Sequence, residues 1–371
     1  MTKNKQFQAD TSNNPTLLRQ LGWDSHFDLQ VAAANATHTH IARVISVQRG
    51  LFLVADGQNE WLCSPAGKLL HSQTGDYPVT GDWVFVDDSV VSAVIPRKNI
   101  LSRGESGARG SRTGATTREQ AIAANLDAVF IVCGLDRDFN IRRIERYLAL
   151  IYNCGLPPVV VLTKADLHDN PDSFRMEVED IAFGVPVVLT SMLDDRGRSE
   201  LASHLGVGRT IAMVGSSGAG KSTLANMLYG DDIQSTGAIS SYDGKGRHTT
   251  TARELIRMPQ GGMLMDNPGI REIAFHEDGH GVESAFAEIQ ELAESCRFAD
   301  CSHQNEPGCA VLRAVEDGEL LPDRLESYHK MKREMQYLLE RRTKSADRIE
   351  KERWQEVALL VKQIKQRPKY K

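Results

Sequence analysis

Eight consecutive residues, Gly215-Ser216-Ser217-Gly218-Ala219-Gly220-Lys221-Ser222, fit the pattern G-x-x-x-x-G-K-[ST] at every fixed position. Glycines at these places let backbone N–H groups turn inward around phosphate oxygens, and a following helix N-terminus adds partial positive charge. Lys221 can then reach the β- and γ-phosphates of a nucleoside triphosphate, while the Ser222 hydroxyl offers a hard oxygen to Mg²⁺ and Thr223 extends the phosphate-binding set. The context agrees with the motif. Thr210 to Val214 is a short apolar run of buried-strand type, and Ser222 to Leu228 carries no helix breaker before Gly230.

A second set of residues could read a base. Thr163-Lys164-Ala165-Asp166 follows the apolar run Pro158 to Leu162. A carboxylate there can accept from the N1–H and exocyclic amine of guanine together, with the lysine stem over the base face; adenine presents no such donor pair. Asp166 therefore selects GTP over ATP. Thr190 and Ser191, after the next apolar run, are placed to offer backbone N–H groups to the guanine oxygen. Thr163 stands where N-K-x-D loops carry asparagine, and the exchange is expected to weaken the tie between this loop and the phosphate loop.

Downstream, Asp266-Asn267-Pro268-Gly269 closes another apolar strand. This puts Asp266 where a carboxylate holds Mg²⁺ through water and Gly269 where its N–H senses the γ-phosphate. The glycine-rich stretch Ser240 to Thr251 supplies one of Thr249, Thr250 or Thr251 to complete the Mg²⁺ shell. After Gly269 comes Ile270, an aliphatic chain that cannot orient a water. His248 is the local substitute for that task, so the expected catalytic set is Lys221, Gly269 and His248.

The last constellation is Cys296, Cys301, His303 and Cys309. Three thiolates and an imidazole at this spacing, with Asp300, Asn305, Pro307 and Gly308 between them for tight turns, match a closed tetrahedral zinc site. With no open coordination position, one structural Zn²⁺ is expected. Cys63, Cys133 and Cys154 lie in apolar surroundings and read as small core residues.

The elements that must position these groups are legible in outline. Leu17 to Phe27 has the spacing of one short helix. Five short strands (Ile41 to Val47, Leu51 to Val54, Trp61 to Ser64, Trp83 to Val86 and Val90 to Ile95) make a small barrel of OB type. Strand-like Ala128 to Gly134, 158–162, Val185 to Leu189 and 210–214 alternate with helical Ile141 to Tyr152 and Asp172 to Phe183, which gives a parallel sheet with covered faces. Glu254 to Met258 and Met263 to Asp266 form a hairpin. A helix starts near Pro322, with Asp323 as N-cap and a buried stripe of Leu325, Tyr328, Met331, Met335, Leu338 and Leu339; a basic helix follows from Ala346 to about Ile364.

The formal net charge of −5 conceals an asymmetry. Residues 97–118 carry six Arg/Lys against Glu105 alone, and residues 323–371 carry fifteen against eight Asp/Glu. Two basic regions on an acidic body point to local polyanion contact, although a charge run also fits a solvated helix face. The polar N-terminus lacks a leader-like apolar core and no long apolar run occurs, so a cytoplasmic protein without membrane contact is expected.

The order of the motifs is permuted: base loop, Thr190-Ser191, phosphate loop, glycine-rich switch, then Asp266 to Gly269. Barrel, permuted core and Cys-His-Cys subdomain together resemble the ribosome small subunit-dependent GTPase family, RsgA, also called YjeQ or YloQ. The resemblance implies an α/β P-loop GTPase domain, circularly permuted, with an N-terminal OB-type β-barrel and a C-terminal zinc-binding helical subdomain. The expected divisions are a tail and short helix at 1–37, the barrel at 38–97, a basic linker at 98–118, the GTPase domain at 119–280 and the zinc-binding, basic helical domain at 281–371. It also implies GTP hydrolysis stimulated by the small ribosomal subunit, late in its assembly, with ribosomal RNA as partner and the chain acting as a monomer. Carried over, Gly215 to Thr223 bind phosphates, Thr163, Lys164 and Asp166 the guanine, and Cys296, Cys301, His303 and Cys309 the zinc. Ile270 motivates an alternative, an RNA-binding assembly factor in which nucleotide only modulates affinity.

Overall fold

The computed structural model describes residues 14–34, 40–48, 50–70, 77–104, 119–230, 254–266 and 280–343, with positions 348, 351, 354 and 355. The chain divides into two compact units, 1–103 with 121–273 and 104–120 with 274–371.

The first unit opens with two helices, α1 (Pro15–Gln20) and α2 (Ser25–Ala33), where the spacing of apolar residues predicted one. Gly22, at φ 95°, reverses the chain between them, and Asn14 and Asp24 cap them by accepting from Thr16 N–H and His26 N–H. The barrel follows as β1 (His40–Gln48), β2 (Leu51–Ala55), β3 (Glu60–Pro65), a short helix α3 (Gly67–Leu70), β4 (Trp83–Asp87) and β5 (Val90–Val94). Its strands run in the order β1-β2-β3-β5-β4, and β4 pairs back with β1, closing it. The β3–β5 pair is parallel, as an OB connection requires. Ala42, Val44, Phe52, Val54, Val84 and Val91 fill the interior.

Strands β6 (Ile100–Gly104) and β7 (Glu119–Ala124) pair as a separate two-stranded sheet. The nucleotide-type fold then runs through β8 (Ala128–Gly134), α4 (Ile141–Asn153), β9 (Pro158–Thr163), a 3₁₀ turn at Ala165–Leu167, α5 (Asp172–Glu179), β10 (Val187–Leu189), α6 (Arg198–His204), β11 (Thr210–Val214), α7 (Lys221–Tyr229), β12 (Glu254–Arg257) and β13 (Met263–Asp266). Strands β10-β9-β8-β11-β13 are parallel, and β12 lies antiparallel on β13. Every residue of β8, β9 and β11 is buried, which is why these strands read as continuous apolar runs without alternation. Two elements are shorter than their patterns predict. Helix α5 stops at Glu179 because the chain tightens into three-residue turns toward Gly184, and β10 begins after Pro186, which has no N–H to donate to a ladder.

The barrel and the parallel sheet are joined twice. Strand β1 pairs with β12 at Ser46 and Glu254, so the eleven strands form one hydrogen-bonded succession. Beside this junction Arg43 is buried, with 1% exposure. Its guanidinium donates to the carbonyls of Leu21, Gly81 (3.2 Å) and Asn125 (3.2 Å) and to Thr210 Oγ1 (2.8 Å). Burial pushes its pKa down to about 10, opposed by Asp127 and Asp82, so the group remains charged at neutral pH. At the barrel's exit Arg97 reaches both oxygens of buried Asp82 at 2.7 Å.

The second unit contains α8 (His280–Ala285), α9 (Ala287–Ala293), α10 (Ala310–Glu316) and α11 (Pro322–Thr343). Helix α11 starts at Pro322, so Asp323 lies in its first turn and not at the N-cap; Leu325, Tyr328 and Met331 are buried as the stripe predicts, and Met335 is partly buried. The side chains of Leu338 and Leu339, most of the basic linker and most of the last basic helix lie outside the described residues; positions 348, 351, 354 and 355 of that helix are helical. Among the described residues no helix is long and apolar enough to cross a membrane.

Arg43→Ala leaves three buried carbonyls and the Thr210 hydroxyl without this donor. Breaking such a buried charged network is expected to cost about 3–5 kcal/mol, read as a lowered urea midpoint with unchanged slope. Arg43→Lys, which cannot span the same acceptors, should recover less than half of the loss.

Candidate functional site

The phosphate loop leaves β11 and enters α7, the strand–loop–helix arrangement the motif calls for. Gly215 is the position where only glycine fits: a Cβ would stand 2.2 Å from the carbonyl oxygen of Val132 on neighbouring β8. The Lys221 side chain is buried, and Nζ donates to the carbonyls of Gly215 (2.9 Å) and Ser216 (2.6 Å), which holds the ammonium within the loop. Ser216 Oγ is buried with no protein partner, while Ser222 and Thr223 are exposed at the start of α7.

The base loop reaches this loop directly. Thr163 Oγ1 donates to the Ala219 carbonyl at 2.6 Å, so the threonine makes the tie that its replacement of asparagine was expected to weaken. Lys164 adopts the left-handed conformation at φ 61°, and its Nζ donates to the Gly218 carbonyl at 2.7 Å. That turn leads into the 3₁₀ segment carrying Asp166. Thr190 and Ser191 are buried at the end of β10; the Thr190 carbonyl accepts from Ala165 N–H at 3.0 Å and Ser191 Oγ from Leu193 N–H at 3.0 Å. A cavity of about 180 Å³ opens among Thr163, Lys164, Asp166, Thr190, Ser191 and the helix residues Thr223 and Met227. Upstream base loop and downstream phosphate loop thus face one cavity.

Sequence reasoning passed over Asp136. It follows β8, and its Oδ2 accepts from Lys164 Nζ at 2.5 Å. The Lys164 ammonium holds the Asp136 carboxyl below the ordinary carboxylate range. The only signal for it was an acidic residue two places past a buried strand ending in Gly134. Leu193, which borders the cavity beside Met192, was passed over because an exposed apolar residue carries no sequence mark.

On the other side of the phosphate loop, β13 lies parallel to β11 with Met213 opposite Asp266, which brings the Asp266 backbone level with the end of the phosphate-loop strand. Its side chain lies outside the described residues, as do His248, Thr249, Thr250, Thr251, Gly269 and Ile270.

In the second unit Cys296, Cys301, His303 and Cys309 come together, all four ligand atoms within 4.8 Å of one another. Cys296 Sγ and Cys309 Sγ are 3.8 Å apart, and His303 Nδ1 is 3.6 Å and 3.5 Å from them. Bonds of about 2.3 Å to sulfur and about 2.0 Å to nitrogen at tetrahedral angles require edges of roughly 3.8 and 3.6 Å, so the donor set fits a zinc ion. The turns have supports besides the four ligands: His303 takes φ 57°, its carbonyl lies 3.2 Å from His329 Nε2, and the Glu306 carboxylate accepts N–H groups of Ser302, Gln304 and Asn305. The Ser302 hydroxyl, together with those N–H groups, holds the Glu306 carboxyl well below its usual range.

Comparison with known proteins bears on this geometry. The family model described as RsgA GTPase matches residues 94–276. The chain is 44% identical over 297 residues to the small ribosomal subunit biogenesis GTPase RsgA of Methanosarcina acetivorans, covering 78% of this chain and 79% of the relative. It is 42% identical to the protein of the same description from Syntrophotalea carbinolica, covering 86% and 89%. Among solved structures it is similar to YjeQ from Thermotoga maritima, with TM-score 0.57, 29% identity and 80% and 98% of the two chains covered. It is also similar to YloQ, described as a circularly permuted GTPase, with TM-score 0.56, 25% identity and coverage of 81% and 96%. With a closed barrel, a permuted nucleotide fold, a Cys₃His cluster and relatives at this identity over most of their length, the chain belongs to the RsgA GTPase family.

Proposed function

We propose that the protein hydrolyses GTP to GDP and phosphate and assists assembly of the small ribosomal subunit, which in turn stimulates the hydrolysis. The observation that carries the base assignment is the cavity that Asp166, Lys164, Thr190 and Ser191 share with the phosphate-loop helix. In this reading the Asp166 carboxylate accepts from guanine N1–H and the exocyclic amine, and the Lys164 stem covers the base. Gly215 to Thr223 hold the phosphates, and the Lys221 ammonium exchanges its loop carbonyls for phosphate oxygens. Ser222, Asp266 and one of Thr249, Thr250 or Thr251 are the residues that would hold Mg²⁺, which neutralises charge between the β- and γ-phosphates when bound. Gly269 N–H reports the γ-phosphate, and His248 orients the attacking water in place of the side chain that Ile270 lacks. Cys296, Cys301, His303 and Cys309 hold one structural Zn²⁺.

The partner reading is supported by the descriptions of the relatives, small ribosomal subunit biogenesis GTPases, and by the two basic regions on an acidic body. Ribosomal RNA is the polyanion such regions fit, with the chain acting as a monomer in the cytoplasm. The binding-only alternative has no support in descriptions that are those of GTPases.

Hydrolysis measured with and without small subunits tests this reading: turnover should be slow alone, rise markedly with subunits and be far slower with ATP. Asp166→Asn should shift preference toward xanthosine triphosphate, and equal use of ATP and GTP by the parent chain rejects the base assignment. His248→Ala should abolish the stimulated rate while leaving nucleotide binding intact; unchanged stimulation rejects the histidine's role. Elemental analysis should find one zinc per chain, lost in Cys301→Ser together with the protease resistance of residues 296–309.

A further inference from the structure

The segment after β8 brackets the base loop. Leu135 N–H donates to the Thr163 carbonyl at 2.8 Å, and His168 Nε2 lies 2.6 Å from the Leu135 carbonyl. Asp136 completes the bracket with both carboxylate oxygens engaged: Oδ1 accepts from Asp138 N–H at 2.9 Å and Oδ2 from Lys164 Nζ at 2.5 Å. Gly134 makes room for this pair, since a Cβ there would stand 3.0 Å from Asp136 Oδ1 and 3.2 Å from Lys164 Nζ. The same ammonium donates to the Gly218 carbonyl, so it bridges the segment after β8 and the phosphate loop.

We propose that Asp136 is a positioning residue for guanine-nucleotide binding, acting through Lys164. The inference rests on the reading that GTP occupies the cavity lined by Lys164 and Asp166. A lysine stem has four rotatable carbons, and a carbonyl alone fixes its head weakly. The carboxylate supplies a second anchor that is itself fixed by the Asp138 N–H, so the stem is laid along the cavity wall before the base arrives. Asp136 does not line the cavity, and its whole effect passes through Lys164. It therefore tightens binding of any guanine nucleotide without choosing among bases, the task left to Asp166. The two side chains keep 32% and 34% exposure, so salt screens the pair.

The test titrates GDP and GTP onto the full chain and follows steady-state hydrolysis. Asp136→Asn should raise Kd for both nucleotides ~3–5-fold, the range of an exposed ion pair. KM for GTP should rise in parallel while kcat at saturation stays at the parent value, and Asp136→Glu should recover part of the affinity. In about 1 M salt the parent and Asp136→Asn should converge. In a Lys164→Met background, Asp136→Asn should add nothing, because the residue it acts through is gone. A change in Kd below ~1.5-fold, a fall in kcat at saturation, or an equal penalty in the Lys164→Met background overturns the proposal. If the parent chain binds no GTP, the functional reading fails; if the parent binds and Asp136→Asn binds equally well, only the role of Asp136 fails.

Discussion

One buried hydroxyl joins the two halves of the nucleotide cavity. Thr163 Oγ1 and the Ala219 carbonyl are separated by 56 positions in sequence and by 2.6 Å in space, and both residues are shielded from water. Separating the loops would strand a donor and an acceptor away from solvent, at about 1–3 kcal/mol for each unsatisfied group. The spacing between the base-facing carboxylate and the phosphate-facing amides is therefore a property of the folded chain. The sheet supports that spacing: β8 lies between β9 and β11 with Gly134 opposite Thr163, and Gly215 rests against the β8 backbone.

The permuted order costs the sheet nothing because strand adjacency is set by register and burial, not by sequence order. Strands β8, β9 and β11 are apolar on both faces, so each is stable only between covered neighbours, and the parallel arrangement supplies those neighbours whatever the chain order. What permutation changes is the destination of the chain leaving β13. In sequence it continues into the unit that carries the four-ligand cluster, and no strand follows β13 among the described residues.

Much of this was legible in the sequence. The phosphate loop, the base loop and the Cys-His spacing are local patterns in which a few residue types sit at fixed offsets, and the structure brings base-loop residues to one cavity with the phosphate-loop helix and gathers the three cysteines and the histidine. The barrel was legible because its strands are punctuated by turns. Other features depend on contacts between distant residues. Arg43 looks like any charged residue on a strand until Leu21, Gly81, Asn125 and Thr210 converge on it. Asp136 became visible only through Lys164. That Thr163 still ties the two loops was not legible, because pattern matching compares residue types, whereas the loop uses one donor at one place. The second N-terminal helix and the helix at 198–204 were missed because such short segments carry too few apolar residues to set a period.

The pairing of β1 with β12 has a consequence for how such a chain can be divided. Without β1, β12 would become the outer strand of the sheet, with the groups at Glu254 that face Ser46 left open to other chains. The barrel is thus a cover for the nucleotide fold as well as a module beside it. Cutting the protein at the boundary between the two would uncover that edge, so an exchange of the barrel calls for another cover in its place.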